Sequence, residues 1–109
     1  MTTYDLYGSR TLTVGELCAR LAETLGLDFE ERESFYRGVY HRARDRAGEE
    51  FEVQPNDVPG DDGGTEPMED RFADYAVLLY VNAAERGDEL RDLLDRVPGL
   101  VFLRRDTVT

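Results

Sequence analysis

Eighteen consecutive residues, 57–74, hold seven acids and a single base, and they divide the chain in two. The acids are Asp57, Asp61, Asp62, Glu66, Glu69, Asp70 and Asp74; the base is Arg71. Pro59, Pro67, Gly60, Gly63 and Gly64 lie among them and break any long helix or strand. Like charges at this density repel one another in a compact state. The segment reads as an acidic surface loop, so the rest of the chain must build the core without it. The chain carries a formal net charge of -11, and this segment supplies -6 of it (seven acids less one base). That balance counts against nucleic acid and anionic membrane, which are held by clustered cations. It favours a basic protein partner, whose encounter it would speed. The plain alternative is that the acidity only keeps the protein soluble.

On either side of the loop the apolar residues recur regularly, unlike those of a disordered acidic chain. At 109 residues the chain has the length of one domain, and residues 1–109 are read as one. Residues 2–7 are β-prone, with Gly8 and Ser9 as a turn. Thr13 and Glu16 form a capping box. Val14, Leu17, Cys18, Leu21, Ala22 and Leu25 then fall on one face of a helix, and Gly26 stands where a C-cap glycine belongs. Residues 28–33 read as a charged connector. Residues 34–46 are ambiguous between helix and strand. Tyr36, Val39, Tyr40 and Ala43 fit a helical face, but the aromatic and β-branched content favours a strand. Residues 51–54 form a second strand, closed by Pro55.

Residues 75–81 are a continuous apolar run, as in a strand covered on both faces. Leu90, Leu93, Leu94 and Val97 mark a second helix, begun near Asp88 and stopped by Pro98 and Gly99. Residues 100–103 are a last strand, followed by a frayed tail. The expected order is β-α-β-β-β-α-β, with the acidic loop before the fourth strand. The fold class is α+β: a two-layer sandwich of a mostly antiparallel five-stranded sheet with both helices on one face, ferredoxin-like in outline.

No catalytic motif stands out. His41, the single histidine, has no nucleophile or orienting carboxylate at a recognised spacing. An EF-hand register started at Asp57 puts Pro59 at position 3 and Met68 at position 12, so it fails. The glycines of the loop lie among acids, which repel phosphate. Arg37, Arg42, Arg44 and Arg46 form a basic island, read as partners of the acid-rich connector or, across the hairpin, of Glu49, Glu50 and Glu52. Cys18 lies within the helix stripe and reads as a structural thiol. No disulfide can form within a chain that has one cysteine. That cysteine usage, with no leader-like start, points to the cytoplasm. No apolar stretch approaches the ~20 residues that span a bilayer.

Several segments together resemble a known group. They are Phe29, Arg32-Glu33-Ser34, Tyr36, Gly38 and Tyr40; Glu52-Val53-Gln54-Pro55-Asn56; the acidic loop; Leu78-Leu79-Tyr80-Val81; and Leu103-Arg104-Arg105. The pattern resembles small bacterial immunity proteins of polymorphic and contact-dependent toxin systems. The resemblance implies a cytosolic, non-enzymatic protein without a cofactor. Such a protein blocks a cognate toxin domain, frequently a basic nuclease, by covering its active site or a nearby surface. The residues expected to meet the partner are Asp57, Asp61, Asp62, Glu66, Glu69 and Asp70, with Glu30 and Glu31 at the margin. The segment around Tyr36 is expected to be structural. Two alternatives remain open: an acidic mimic of DNA that inhibits a nucleic-acid-binding protein, and a small ferredoxin-like enzyme using His41.

Overall fold

The computed structural model describes residues 1–60 and 63–109. In chain order the elements are β1 (Thr2–Ser9), α1 (Val14–Leu25), β2 (Glu30–Ser34), β3 (Gly38–Arg44) and β4 (Glu50–Pro55). Two short strands follow, β5 (Asp57–Pro59) and β6 (Thr65–Pro67), then a 3-10 turn at Asp70–Phe72. The chain closes with β7 (Val77–Ala84), α2 (Gly87–Leu94) and β8 (Val101–Val108). Six strands make one sheet in the order β2-β3-β4-β7-β1-β8, and every neighbouring pair is antiparallel. The fold is α+β. β1 and β7, the strands leading into the helices, are adjacent and antiparallel, an arrangement that a ferredoxin-like outline shares, and β2 and β3 extend the sheet beyond β4.

α1 forms as its sequence dictates. Thr13 Oγ1 accepts from the Glu16 amide at 3.1 Å, and the Thr13 amide donates to Glu16 Oε1 at 2.9 Å. These bonds satisfy amides that the first turn leaves without intrahelical partners. Gly26 ends the helix in the left-handed region at φ 69°, and its amide donates to Ala22 O. Leu17 and Leu21 are fully buried, each contributing roughly 1.5–3 kcal/mol relative to exposure. Cys18 packs beside them, and burial pushes its thiol up to about 11, which leaves it protonated and inert at neutral pH.

The apolar run lies at the centre of the sheet, between β4 and β1. Val77, Leu78, Leu79 and Val81 are all buried, as expected for a strand covered on both faces. One side chain set, Val77, Leu79 and Val81, joins Tyr7, Phe51, Val53 and the stripes of both helices in one core cluster. Strand alternation turns Leu78 and Tyr80 to the opposite face, with Leu6, Glu52 and Gln54 beside them in register.

Three local expectations change. Glu30–Ser34, read as a connector, is the edge strand β2, paired with β3 from Glu30↔Arg42 to Ser34↔Gly38. Its side chains lie in water, so no alternation of polarity marks it; charge on such an edge also discourages further pairing. Gly8 and Ser9 continue β1 instead of turning. The tail beyond residue 103 is ordered too, with β8 paired to β1 as far as Thr2↔Val108. The strand reading of the ambiguous segment holds for Gly38–Arg44, while Tyr36 falls in the preceding turn.

Candidate interaction surface

The acidic segment is largely ordered, and it lies across the sheet face opposite the core cluster. Asn56, 2 % exposed, anchors it. Its amide donates to Ala76 O and its carbonyl accepts from the Met68 amide. Its side-chain Nδ2 donates to Phe72 O and Tyr75 O, both at 2.9 Å, and its Oδ1 accepts from the Glu69 amide at 3.0 Å. One buried side chain thereby satisfies three backbone groups of the segment.

Apolar contacts complete the anchoring. Val58 is buried within β5. A Cβ placed on Gly8 would fall 2.9 Å from the Tyr75 ring and 2.8 Å from Leu103 Cδ1, so β1 has no side chain there because the segment covers it. Composition reads this segment as a loop that takes no part in the core. Instead β5 and β6 form a ribbon, with Asp57↔Pro67, Val58↔Glu66 and Pro59↔Thr65 in register. Asn56 and Tyr75 supply the order that composition alone does not.

The acids of this face divide into two kinds. Some are neutralised. Glu69 accepts from Tyr80 Oη at 2.5 Å and from Arg104 Nη1 at 3.0 Å. Burial first, and then that hydrogen bond, push the Tyr80 hydroxyl up. Arg37 Nη1 donates to Glu52 at 2.9 Å, its Nε to Gln54 at 2.9 Å, and its guanidinium lies 4.0 Å over the Tyr40 ring. Glu50 is held by Arg42 and Arg44 together, which keeps its carboxyl below its ordinary range. Of the basic island, Arg42 and Arg44 are spent on cross-strand pairs with Glu50, and Arg37, in the turn, pairs with Glu52.

The others face water. Asp57, Glu66 and Asp70 are exposed and have no ion-pair partner among the described residues. Asp61 and Asp62 lie outside the described residues. The structure brings Asp57 and Glu66 onto one ribbon and sets Asp70 at the following turn. Glu69 differs from them, because its carboxylate is turned inward onto Tyr80 and Arg104. Glu30 and Glu31 lie on β2, at the sheet edge; Glu30 is 3.4 Å from Arg32 and Glu31 is 3.8 Å from His41 Nε2.

Two charged networks on the core side carried no sequence signal. Asp5, 2 % exposed, accepts from Arg105 Nε and Nη2 at 2.8 and 2.9 Å, and Arg105 Nη1 reaches Asp88 at 2.6 Å. Glu49, 1 % exposed, accepts from Arg86 Nε at 2.9 Å, and Arg86 Nη2 reaches Asp45 at 3.2 Å. Burial pushes Glu49 up, and the Asp45 carboxyl beside it adds to that rise against Arg86. Burial opposes ionisation of Asp45 as well, but hydrogen bonds with Glu49, Arg86 and the Ala47 amide outweigh it and hold Asp45 low. The partners in each network are far apart in sequence, so no local pattern marks them.

His41 Nδ1 is buried without a hydrogen-bond partner among the described residues. Among those residues no three His, Cys, Asp or Glu side chains are grouped to hold a metal ion. No helix among them is long and apolar enough to cross a membrane. The chain matches no protein-family model and no curated protein.

Proposed function

We propose that the chain is a binding protein of the immunity type, which neutralises a basic, nuclease-type toxin domain by covering it. In this reading both helices lie on one face of the sheet as a two-layer sandwich, because their stripes share one core cluster. The opposite face, crossed by the acidic ribbon, is left for the partner. The observation that carries the reading is the division of acids on that face. Glu50, Glu52 and Glu69 are each held by arginine, while Asp57, Glu66 and Asp70 are exposed with no cation partner among the described residues. Ordered carboxylates that the protein leaves unneutralised form a fixed anionic surface, ready to steer and pair with a basic one. Blockade is steric and electrostatic and uses neither catalysis nor a cofactor. The protein acts in the cytoplasm, where an incoming toxin domain would meet it.

The test is co-expression with any toxin-like domain found encoded beside this gene. Cells carrying the wild-type chain should grow, and the purified pair should associate faster as salt is lowered. Failure of the chain to protect, or an association rate indifferent to salt, would sink the reading.

A further inference from the structure

The β2–β3 hairpin ends in two large aromatic side chains that the fold does not use. Phe35 is 89 % exposed and Tyr36 79 % exposed, and their rings meet edge to face at 5.4 Å. Val39, the next residue but one after Arg37, is 45 % exposed. Beneath them the turn is held firmly. Ser34 Oγ accepts from the Tyr36 amide at 3.3 Å, and Gly38 takes φ 70° to start β3. Arg37 ties the root of the turn to Glu52 and Gln54 on β4. A Cβ on Gly38 would lie 3.6 Å from Pro59 Cδ, so the tip abuts the acidic ribbon.

We propose that Phe35 and Tyr36 form the anchor of the interface, entering an apolar recess on a basic protein while Glu33, Asp57 and Glu66 engage cations around its rim. The inference rests on the binding function proposed above and names its central contact. Charge complementarity selects the occupant, since the tip is flanked by β2 acids on one side and the ribbon acids on the other. An anionic lipid surface or nucleic acid would be repelled from it. Interfaces characteristically concentrate their affinity in a few aromatic residues ringed by polar contacts. A clamped turn also leaves little freedom to lose on binding. The segment expected to be structural on sequence grounds is structural at Arg37 and Tyr40, and presented to solvent at Phe35 and Tyr36.

The test compares the wild type with Phe35→Ser/Tyr36→Ser in two arms. Both side chains lie in water, so the variant should keep its melting temperature. In the first arm, the variant's affinity for the adjacent toxin domain should fall about thirtyfold or more, the scale of a hot-spot truncation. In the second, peptides are selected from a displayed random library on the wild type alone. Most enriched clones should need the tip and pair Arg or Lys with an apolar residue. Clones that bind the variant equally well, or that show no basic bias, would overturn the inference. So would unchanged toxin affinity, or concentration-dependent dimerisation that the variant abolishes. Peptides that select onto the tip while the wild type ignores the toxin would refute the immunity reading and leave the anchor standing.

Discussion

Two acid-rich regions of this protein use their carboxylates in opposite ways. On the core side Asp5 is buried and gripped at both oxygens by Arg105, and Gly87 makes room for the contact. A Cβ there would fall 3.0 Å from Arg105 Nη2 and 2.3 Å from Thr3 Oγ1. On the opposite face the carboxylates of Asp57 and Glu66 stand in water on a ribbon whose own order comes from Asn56. The difference teaches where charge serves the fold. A buried carboxylate must be paired, because removing it from water is costly. An exposed one contributes little to stability and remains available to a partner.

The largest effect should come from unpairing Asp5. Arg105→Ala is expected to lower unfolding free energy by about 3–5 kcal/mol, because it strands a buried charge. Asp5→Asn in the same background should restore part of that loss, measured by urea denaturation. If Arg105→Ala were nearly neutral, the contrast between the two regions would collapse.

Asn56→Ala should come next, at about 2–3 kcal/mol, since it leaves Phe72 O, Tyr75 O and the Glu69 amide without their partner. Amide exchange should quicken over residues 65–76 while α1 stays protected. Uniform loss of protection would mean that the ribbon and the core unfold as one unit.

Acid should erode stability in a predictable direction. Glu50 has a folded pKa below its ordinary value of 4.5, and Asp45 one below 3.8. Their contributions are complete above those ordinary values and are lost as pH falls through the lower folded ones. Glu49 runs the other way. Its folded pKa is raised, so its contribution is present below 4.5 and fades as pH climbs through the folded value. Unfolding free energy should therefore fall from about pH 4.5 downward, and Glu50→Gln should flatten that slope. An unchanged slope in the variant would show that its two arginines do not hold Glu50 in solution.

The smallest effect on stability should accompany a clear one on binding. Neutralising Asp57, Glu66 and Asp70 to Asn, Gln and Asn should leave the melting temperature nearly unchanged. It should slow association with the basic partner about tenfold at low salt. A marked change in melting temperature would place these acids with the fold-bearing ones and dissolve the distinction.

The sequence by itself determined the elements whose signals are local. The capping box of Thr13 and Glu16, the stripe from Val14 to Leu25 and the stop at Gly26 specify α1 through neighbours a few residues apart. Continuous hydrophobicity made β7 a central strand for the same reason, because burial on both faces leaves no polar position. The acid count likewise located the candidate surface without a structure. Only the tertiary structure decided what depends on partners distant along the chain. Glu30–Ser34 became a strand because β3 offered a backbone ladder, and backbone hydrogen bonds leave no mark on side-chain composition. The acidic segment became ordered because Asn56 reaches Phe72 and Tyr75, and because Tyr75 lies on Gly8. Glu69 left the set of exposed acids when β8 brought Arg104 beside it, and Asp5 was buried only because Arg105, a hundred residues on, returned to meet it. Periodicity and capping read neighbours along the chain; pairing of charge and burial of polar groups are settled by neighbours in space.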